Sequence, residues 1–275
     1  MVTTESTYNG TGPGPHGYSL PLSPSGDSSM LTPPPWDFAG DIVMVEYRVD
    51  PDSAAAFLPP GLSLGADPGA AAAVFAQWQW CSDSGAELRD PQRCQFGEFL
   101  ILLACEFEGR PMARCPYAWV DSPVPMLRGW LQGMPKQFGA IQQSRPIPVG
   151  RAGTALDTGA RYDAALSVHG RRIAEASVTL RDTVSTRPHL HDVPLVHTRL
   201  FPGWVEDEAP VSQLVASTVK NVEFSEMWTG PADMRLFDEA GPGLADLGRL
   251  APVEVGAGFK FYYAETLCGG VLLGE

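Results

Sequence analysis

The chain has 275 residues, 44% of them apolar, and a formal net charge of -13 at pH 7. This length suits one large domain or two small ones, and the apolar fraction is ample for a buried core. The negative charge argues against nucleic acids and anionic membranes as partners, because both bind basic surfaces.

The first 35 residues are rich in Gly, Pro, Ser and Thr and end in Thr32-Pro-Pro-Pro35. This composition buries too little apolar surface to order itself, so residues 1–35 are predicted to form a flexible arm, or an arm laid over a neighbouring molecule. The composition changes at Trp36, and no further break follows it. Residues 36–275 are therefore predicted to form a single domain. No lysine or arginine precedes Arg48, so we expect no signal peptide.

Short apolar runs bounded by turn residues predict strands in the first half of the chain. Asp50-Pro51 precedes a short alanine-rich helix, which Pro59-Pro-Gly61 ends. A polar loop over residues 81–92 separates the second and third strands. The predicted strands cover residues 41–49, 71–80 and 96–107, and the helix covers residues 52–58.

A short helix is predicted from residues 121–125 to about Gln132. Asp121 is a capping residue, and the prolines that follow it suit a first helical turn. Gly133 and Pro135 end this helix and leave Lys136 just beyond its terminus.

The second half of the chain is also predicted to consist mainly of strands. Two runs on either side of Gly170 predict a hairpin, and Phe259, Phe261 and Tyr263 share one face of the closing strand. Many short strands without βαβ alternation predict a mainly β (α+β) fold, an antiparallel barrel or sandwich with peripheral short helices. The predicted strands cover residues 161–168, 171–180, 212–226 and 253–266, and residues 236–250 are predicted to be mixed helix and turn.

Lys136 is the candidate reactive group. The chain has three lysines and 16 arginines, so most of its positively charged positions are arginines and a lysine is unusual. Apolar surroundings disfavour an ammonium ion, and the neutral amine attacks carbonyls to form a Schiff base. The alternative is a lysine whose stem packs on the core and whose head reaches water. Its apolar sequence neighbours are Trp130, Leu131, Met134 and Phe138.

Arg128 and Gln132 precede Lys136 by eight and four residues. They share one face of the predicted helix, with the lysine near the end of that face. An arginine holds a carboxylate in a bidentate fork, so this arrangement suits a keto acid. The alternative is a surface arginine paired with an acid. Glu98 enters an apolar strand, where a carboxylate either pairs with an arginine or transfers protons.

Other motifs point to no cofactor and no metal. His189-Leu-His191 has no third ligand at a convincing spacing, which favours surface histidines in a loop. The chain has no glycine-rich phosphate loop after a strand and no GxSxG motif. Its five cysteines are odd in number and form no CxxC pair, which is typical of buried free thiols in a reducing cytoplasm.

With these residues identified, the chain resembles the acetoacetate decarboxylase family. The resemblance implies a cone-shaped antiparallel β-barrel with helices outside, Schiff-base chemistry at Lys136, an acidic group at Glu98 and a homo-oligomer, either dimer or tetramer. The matching segments are residues 45–50 with 58–62, Phe96-Gly-Glu98, Gly133-Met-Pro-Lys136, and Glu226-Met-Trp-Thr-Gly-Pro231 with Leu236-Phe237.

Two positions depart from the decarboxylase pattern. Gln137 stands where decarboxylases have a second lysine, and Gly40 falls where they carry an arginine. The amine then needs another source of activation, either an apolar pocket or Arg128. Arg128 and Gln132 instead match the family's aldolase-dehydratases, which hold pyruvate as a Schiff base, condense it with an aldehyde and eliminate water.

We therefore expect a lyase of secondary metabolism that binds pyruvate, or a related 2-oxo acid, as an imine of Lys136. Its carboxylate would lie on Arg128 and Gln132, and an aldehyde would be the second substrate. The alternatives are decarboxylation of a β-keto acid by the same lysine, and a non-catalytic barrel that binds a small molecule. Glu98, Tyr263 and Glu265 are the candidates for proton transfer, and Phe96, Trp78 and Trp80 are expected to line the pocket.

Overall fold

The computed structural model describes residues 14–237 and 241–274, and the chain divides into two units, residues 1–33 and 34–275. The described part of the first unit contains turns and an isolated bridge between His16 and Ser23. The flexible arm over residues 1–35 stays a prediction, and its first 13 residues lie outside the described residues.

The second unit is built mainly from strands. Its helices are α1 (Pro51–Ala56), α2 (Pro91–Cys94) and α3 (Pro123–Gln132), with 3-10 turns at Ala86–Arg89, His189–His191 and Leu247–Leu250. Its strands are β1 (Trp36–Arg48), β2 (Ser63–Leu64), β3 (Ala70–Ser82), β4 (Gln95–Phe107), β5 (Arg110–Val120), β6 (Lys136–Phe138), β7 (Ala140–Gln143), β8 (Arg161–Val168), β9 (Arg171–Thr179), β10 (Asp182–Val184), β11 (Leu195–Phe201), β12 (Val211–Phe224), β13 (Met227–Leu236) and β14 (Glu254–Leu272).

Seven strands close into a ring of hydrogen bonds. Their order is β1, β3, β4, β5, β11, β12 and β14, and β14 pairs again with β1. All of these pairs are antiparallel except β5 with β11, which is parallel. From β14 the pairing continues through β13 into a second sheet with β9, β8 and β7. The predicted mainly β fold with few, short helices is confirmed.

The ring separates two apolar cores, because side chains alternate between the two faces of each strand. Ile42 and Met44 of β1 face an inner core that also contains Phe259, Phe261 and Tyr263 of β14. The alternate residues of β1, such as Val43, face an outer core between the ring and the second sheet. The inner core is the one that surrounds the candidate site.

Most predicted elements lie where the sequence placed them, and the longer strands that it omitted are β11, β13 and β5. Pro111 and Pro116 interrupt the apolar pattern of β5, and prolines within a run argue against a strand. The hairpin turn at Glu108-Gly109, where both residues have positive φ, nevertheless lets β5 pair with β4. The predicted polar loop over residues 81–92 contains a 3-10 turn and the start of α2, and residues 238–240 of the predicted mixed segment lie outside the described residues.

Across residues 14–237 and 241–274, every helix is too short or too polar to cross a membrane. The cytoplasmic location and the homo-oligomer stay predictions.

Candidate active site

A cavity of about 460 Å³ lies inside the ring, and the loop before β11 contributes to its wall. Its apolar lining comes mainly from the inner core, and its polar lining comes from α3, β4, β6, β11, β12 and β14 and from the loop before β11. Eight of the nine residues that the sequence singled out for the site or its lining border this cavity: Lys136, Glu98, Tyr263, Glu265, Arg128, Gln132, Phe96 and Trp78.

Lys136 is the first residue of β6 and reaches the cavity past the end of α3. The helix ends at Gly133, whose φ of 92° favours glycine. The lysine stem then runs against Gly129, where an added Cβ would come within 2.3 Å of the lysine Cδ. A glycine at position 129 is therefore what lets the lysine side chain lie along the helix and enter the cavity.

The sequence predicted apolar surroundings for Lys136, and the structure shows them only in part. Its side chain is 6% exposed and Met134 is buried, but Trp130 and Phe138 lie on the surface. Nζ lies 2.7 Å from Oε1 of Glu98 and 5.9 Å from the centre of the Phe96 ring. A carboxylate, rather than apolar side chains alone, is thus the closest partner of the amine.

Glu98 is buried on β4, and each of its oxygens has a different partner. Oε1 faces Lys136, and Oε2 accepts a hydrogen bond of 2.8 Å from Nε1 of Trp78. The cation that Glu98 contacts is therefore the lysine and not an arginine.

Arg128 is buried in the wall of the cavity with an exposed fraction of 1%. Its guanidinium carbon lies 4.0, 4.9 and 5.2 Å from the ring centres of Trp80, Phe38 and Trp36. Within the described residues, none of its three side-chain nitrogens has a hydrogen-bond partner. Burial lowers the pKa of Arg128 to about 9, which leaves the group charged at neutral pH. An unpaired buried cation is costly, and an anion would offset that cost.

Gln132 lies one helical turn after Arg128 on α3 and lines the same cavity, as the spacing of four residues predicts. Trp78 and Phe96 also line the cavity. Trp80 does not. It stacks on the guanidinium of Arg128 from behind the wall, and its Nε1 donates to the carbonyl oxygen of Arg93 at 3.0 Å.

Tyr263 and Glu265 point into the cavity from one face of β14. The Tyr263 hydroxyl donates to Oε2 of Glu265 at 2.6 Å. Burial raises the pKa of Glu265, and the negative charge of Glu98 adds to that shift. Burial and the charge of Glu265 also raise the pKa of Tyr263. The pair therefore retains protons to higher pH than the same groups do in water.

The expectation of surface histidines at residues 189 and 191 is wrong for His191. The 3-10 turn leaves His189 exposed but directs His191 into the cavity, with its ring centre 4.4 Å from that of Tyr263. Burial lowers the pKa of His191 to about 4, so the imidazole is neutral. In the described part of the chain, no cluster of His, Cys, Asp or Glu side chains is large enough to hold a metal ion.

Sequence reasoning missed His197, which also borders the cavity. It is fully buried on β11, and its Nε2 lies 3.1 Å from the Ser217 hydroxyl. Burial lowers its pKa to about 3, and the charges of Arg114 and Lys136 act in the same direction. A single histidine within an apolar run carries no sequence signal for such a position.

Gln137 has no direct contact with the amine of Lys136. Successive side chains of a strand point to opposite faces. The Gln137 side chain therefore points away from the cavity, and its Nε2 donates to the carbonyl oxygen of Gly243 at 2.8 Å. The residue at position 137 acts on the Lys136 charge only across the strand.

The chain is similar to proteins of known family and structure. The sequence profile of the acetoacetate decarboxylase (ADC) family matches residues 19–274. A search of curated proteins found no match. Among solved structures, the enduracididine biosynthesis enzyme MppR, complexed with the condensation product of pyruvate and imidazole 4-carboxaldehyde, is 67% identical with a TM-score of 0.91, over 96% of this chain and 98% of that chain.

Two further structures are similar. MppR complexed with pyruvate is 67% identical, with a TM-score of 0.90 over 95% of this chain and 98% of that one. An acetoacetate decarboxylase-like enzyme from Sphingomonas wittichii RW1 is 26% identical, with a TM-score of 0.83 over 94% of this chain and 99% of that one.

Proposed function

Because the chain belongs to the acetoacetate decarboxylase family, we propose that it is a Schiff-base lyase that condenses pyruvate with an aldehyde and eliminates water. The observation that carries this proposal is the unpaired guanidinium of Arg128, in the wall of the cavity that also contains the Lys136 amine. A 2-oxo acid supplies both the anion and the carbonyl carbon that these two groups need. The binding of pyruvate by MppR, which is 67% identical, supports this choice.

The carboxylate of pyruvate is held by Arg128, with Gln132 as a second donor one helical turn away. A bidentate carboxylate satisfies two guanidinium nitrogens and pairs the buried charge. Three aromatic rings stack on this guanidinium, and of these only Phe38 lines the cavity. Phe38 is therefore the ring that borders both the guanidinium and the space for the substrate carboxylate.

Imine formation begins with proton transfer from the Lys136 ammonium to Oε1 of Glu98, 2.7 Å away. The neutral amine attacks C2 of pyruvate, and the resulting carbinolamine loses water as Glu98 returns the proton to the departing hydroxyl. The protonated imine then withdraws electrons from the methyl group, and the Glu98 carboxylate, which has given up its proton, takes a methyl proton to give an enamine.

The enamine attacks the aldehyde carbon and forms the new carbon–carbon bond. The Tyr263–Glu265 pair protonates the aldehyde oxygen as it becomes a hydroxyl; burial raises the pKa of Glu265, which favours its acid form relative to a carboxyl group in water. Loss of a second methyl proton expels that hydroxyl as water, and hydrolysis of the imine releases an unsaturated 2-oxo acid and the free lysine. One water leaves per pyruvate and aldehyde joined.

The test is to trap the imine by reduction. The protein is incubated with pyruvate and borohydride, and the adduct is located by mass spectrometry of its peptides. We expect one adduct, on Lys136, which is lost in Lys136→Ala and kept in Lys220→Ala, an exposed lysine that serves as the matched control. An adduct that survives Lys136→Ala, or no adduct in the wild type, would sink the assignment.

The product separates this reaction from decarboxylation of a β-keto acid through the same imine. We expect an absorbing enone from pyruvate plus an aromatic aldehyde. Carbon dioxide release from acetoacetate without any enone would favour the decarboxylase, and tight pyruvate binding without an adduct would favour a non-catalytic binding protein.

A further inference from the structure

The Trp78 indole contacts both Glu98 and Tyr263, the partner of Glu265, in the cavity. Its Nε1 donates to Oε2 of Glu98 at 2.8 Å, and its ring meets the ring of Tyr263 edge to face at 6.1 Å. A second edge-to-face contact, at 5.9 Å, joins it to Phe38. Glu98, Tyr263 and Phe38 have roles in the reaction proposed above, whereas Trp78 so far has none.

Gly40 provides the space in which this indole lies. It is the residue of β1 that faces Trp78 of β3 in the sheet register. A Cβ at position 40 would come within 2.5 Å of the indole ring carbons. Because the φ of Gly40 is not positive, glycine is required here for space and not for the backbone conformation. The indole is therefore held flat against a strand that carries no side chain at that point.

Glu98 has two cations within its electrostatic reach. It contacts Lys136 directly, and its charge also acts on Arg128, where it opposes the lowering of the pKa that burial causes. If Glu98 turned towards Arg128, it would pair the guanidinium that we assign to the substrate carboxylate. It would also leave the lysine without its proton acceptor. The hydrogen bond from Trp78 fixes one oxygen of Glu98 and leaves the other directed at Nζ.

We propose that Trp78 is a positioning residue that holds Glu98 on Lys136 and away from Arg128, with Gly40 as the space that the indole requires. An indole N–H donates a hydrogen bond but neither gains nor loses a proton near neutral pH. It therefore orients the carboxylate without taking part in the proton transfer. This inference rests on the proposed function of Lys136.

The test compares Trp78→Phe, which removes the N–H but keeps an aromatic ring, with Trp119→Phe. Trp119 is a fully buried tryptophan of the outer core, so it controls for the loss of ring volume. We expect the rate of the trapped pyruvate adduct to fall about 10- to 100-fold in Trp78→Phe, at or below the lower end of the usual contribution of general acid–base catalysis, because Trp78 only orients the group that transfers the proton. The KM for pyruvate should rise in the same variant, and Trp119→Phe should leave both values unchanged.

A double-mutant cycle with Glu98→Gln separates positioning from a merely structural role. If Trp78 acts through Glu98, the variant with both substitutions is no slower than Glu98→Gln alone, whereas independent effects would multiply. Gly40→Ala displaces the indole from the other side and should slow formation of the pyruvate adduct in the same way. It replaces Trp78→Phe as the test if that variant does not fold.

Multiplying losses, or a Trp78→Phe variant that matches Trp119→Phe, would overturn the inference and leave Lys136 as the imine-forming residue. A wild-type protein that forms no adduct with pyruvate would overturn both.

Discussion

Two lysine–carboxylate pairs lie on opposite faces of the same ring of strands. Lys136 and Glu98 face the cavity, whereas Lys260 of β14 and Asp41 of β1 form an ion pair on the face that packs against the second sheet. Lys260 is 0% exposed, and its Nζ lies 5.0 Å from the centre of the Tyr162 ring. Burial lowers the pKa of Lys260.

The difference between the two pairs indicates that burial alone does not make a lysine amine catalytic. Lys260 is the more deeply buried of the two lysines, and it is not among the residues that line the cavity of Lys136. Lys136 has a cavity of about 460 Å³ and an unpaired cation, Arg128, in its wall. Access and a second binding group, and not burial, distinguish the proposed catalytic lysine from the structural one.

The largest expected effect is that substitution of Lys136 abolishes activity, whereas substitution of Lys260 lowers stability. Lys136→Met should reduce condensation to background while the protein stays folded, because Glu98 keeps the Trp78 donor and borders a cavity that admits water. Lys260→Met should still form the pyruvate adduct but lose about 3 kcal/mol of unfolding free energy, since removing one partner leaves a charge uncompensated in the outer core. Adduct trapping and denaturant titration measure the two outcomes.

A control for Lys260→Met is the double variant with Asp41→Leu. Replacing both members of a buried ion pair by apolar residues is often neutral, so most of the lost stability should return. If the double variant is as unstable as Lys260→Met, the loss comes from packing and not from the unpaired Asp41.

Glu265 should give the next largest effect. Because burial raises its folded pKa above the ordinary value of 4.5, the protonated acid persists further up the pH scale and is lost as the pH rises through that higher value. Activity should therefore fall on the alkaline side of this pKa. Glu265→Gln should lower kcat by about 100-fold and remove that limb of the pH–rate profile. An unchanged profile in Glu265→Gln would exclude it as the proton donor.

Substitution of Arg128 should weaken pyruvate binding but stabilise the fold, whereas substitution of the paired Lys260 should destabilise it. Arg128→Met should raise the KM for pyruvate at least about tenfold, because hydrogen bonds to a charged group contribute about 1.5–3 kcal/mol. The same variant, without pyruvate, should gain about 1 kcal/mol of unfolding free energy, since it removes a buried cation that has no partner in the described residues. A loss of stability with an unchanged KM would contradict both parts.

The sequence identified residues that line one cavity better than it identified the surroundings of that cavity. The spacing of Arg128, Gln132 and Lys136 is local to one helix and its end, so the periodicity of a helix was enough to bring them together. Glu98 and Tyr263 come from distant strands, and the resemblance to a family, together with strand alternation, indicated them. His191 was misplaced because the direction of its side chain depends on a 3-10 turn that sequence does not define.

The choice between Lys136 and Lys260 shows what local sequence leaves open. Phe259 and Phe261 flank Lys260, so its neighbours in sequence are as apolar as those of Lys136. Strand alternation places Lys260 on the face opposite Phe259, Phe261 and Tyr263, but only the closure of the ring makes one face a cavity wall and the other a packed core. That closure depends on β5, which its prolines concealed.

The smallest expected effect concerns the buried His197 on the inner side of the ring. Its folded pKa of about 3 lies below the ordinary 6.5, so the unfolded chain binds a proton first as the pH falls. Stability that is complete above pH 6.5 is therefore lost on acidification, by about 1 kcal/mol between pH 6.5 and 5.5. His197→Gln, which keeps a partner for Ser217, should show a shallower loss than the wild type in denaturant titrations at these two pH values. Equal losses would mean that the His197 imidazole takes up its proton in the folded protein, so that the inner wall of the ring is more open to water than its packing indicates.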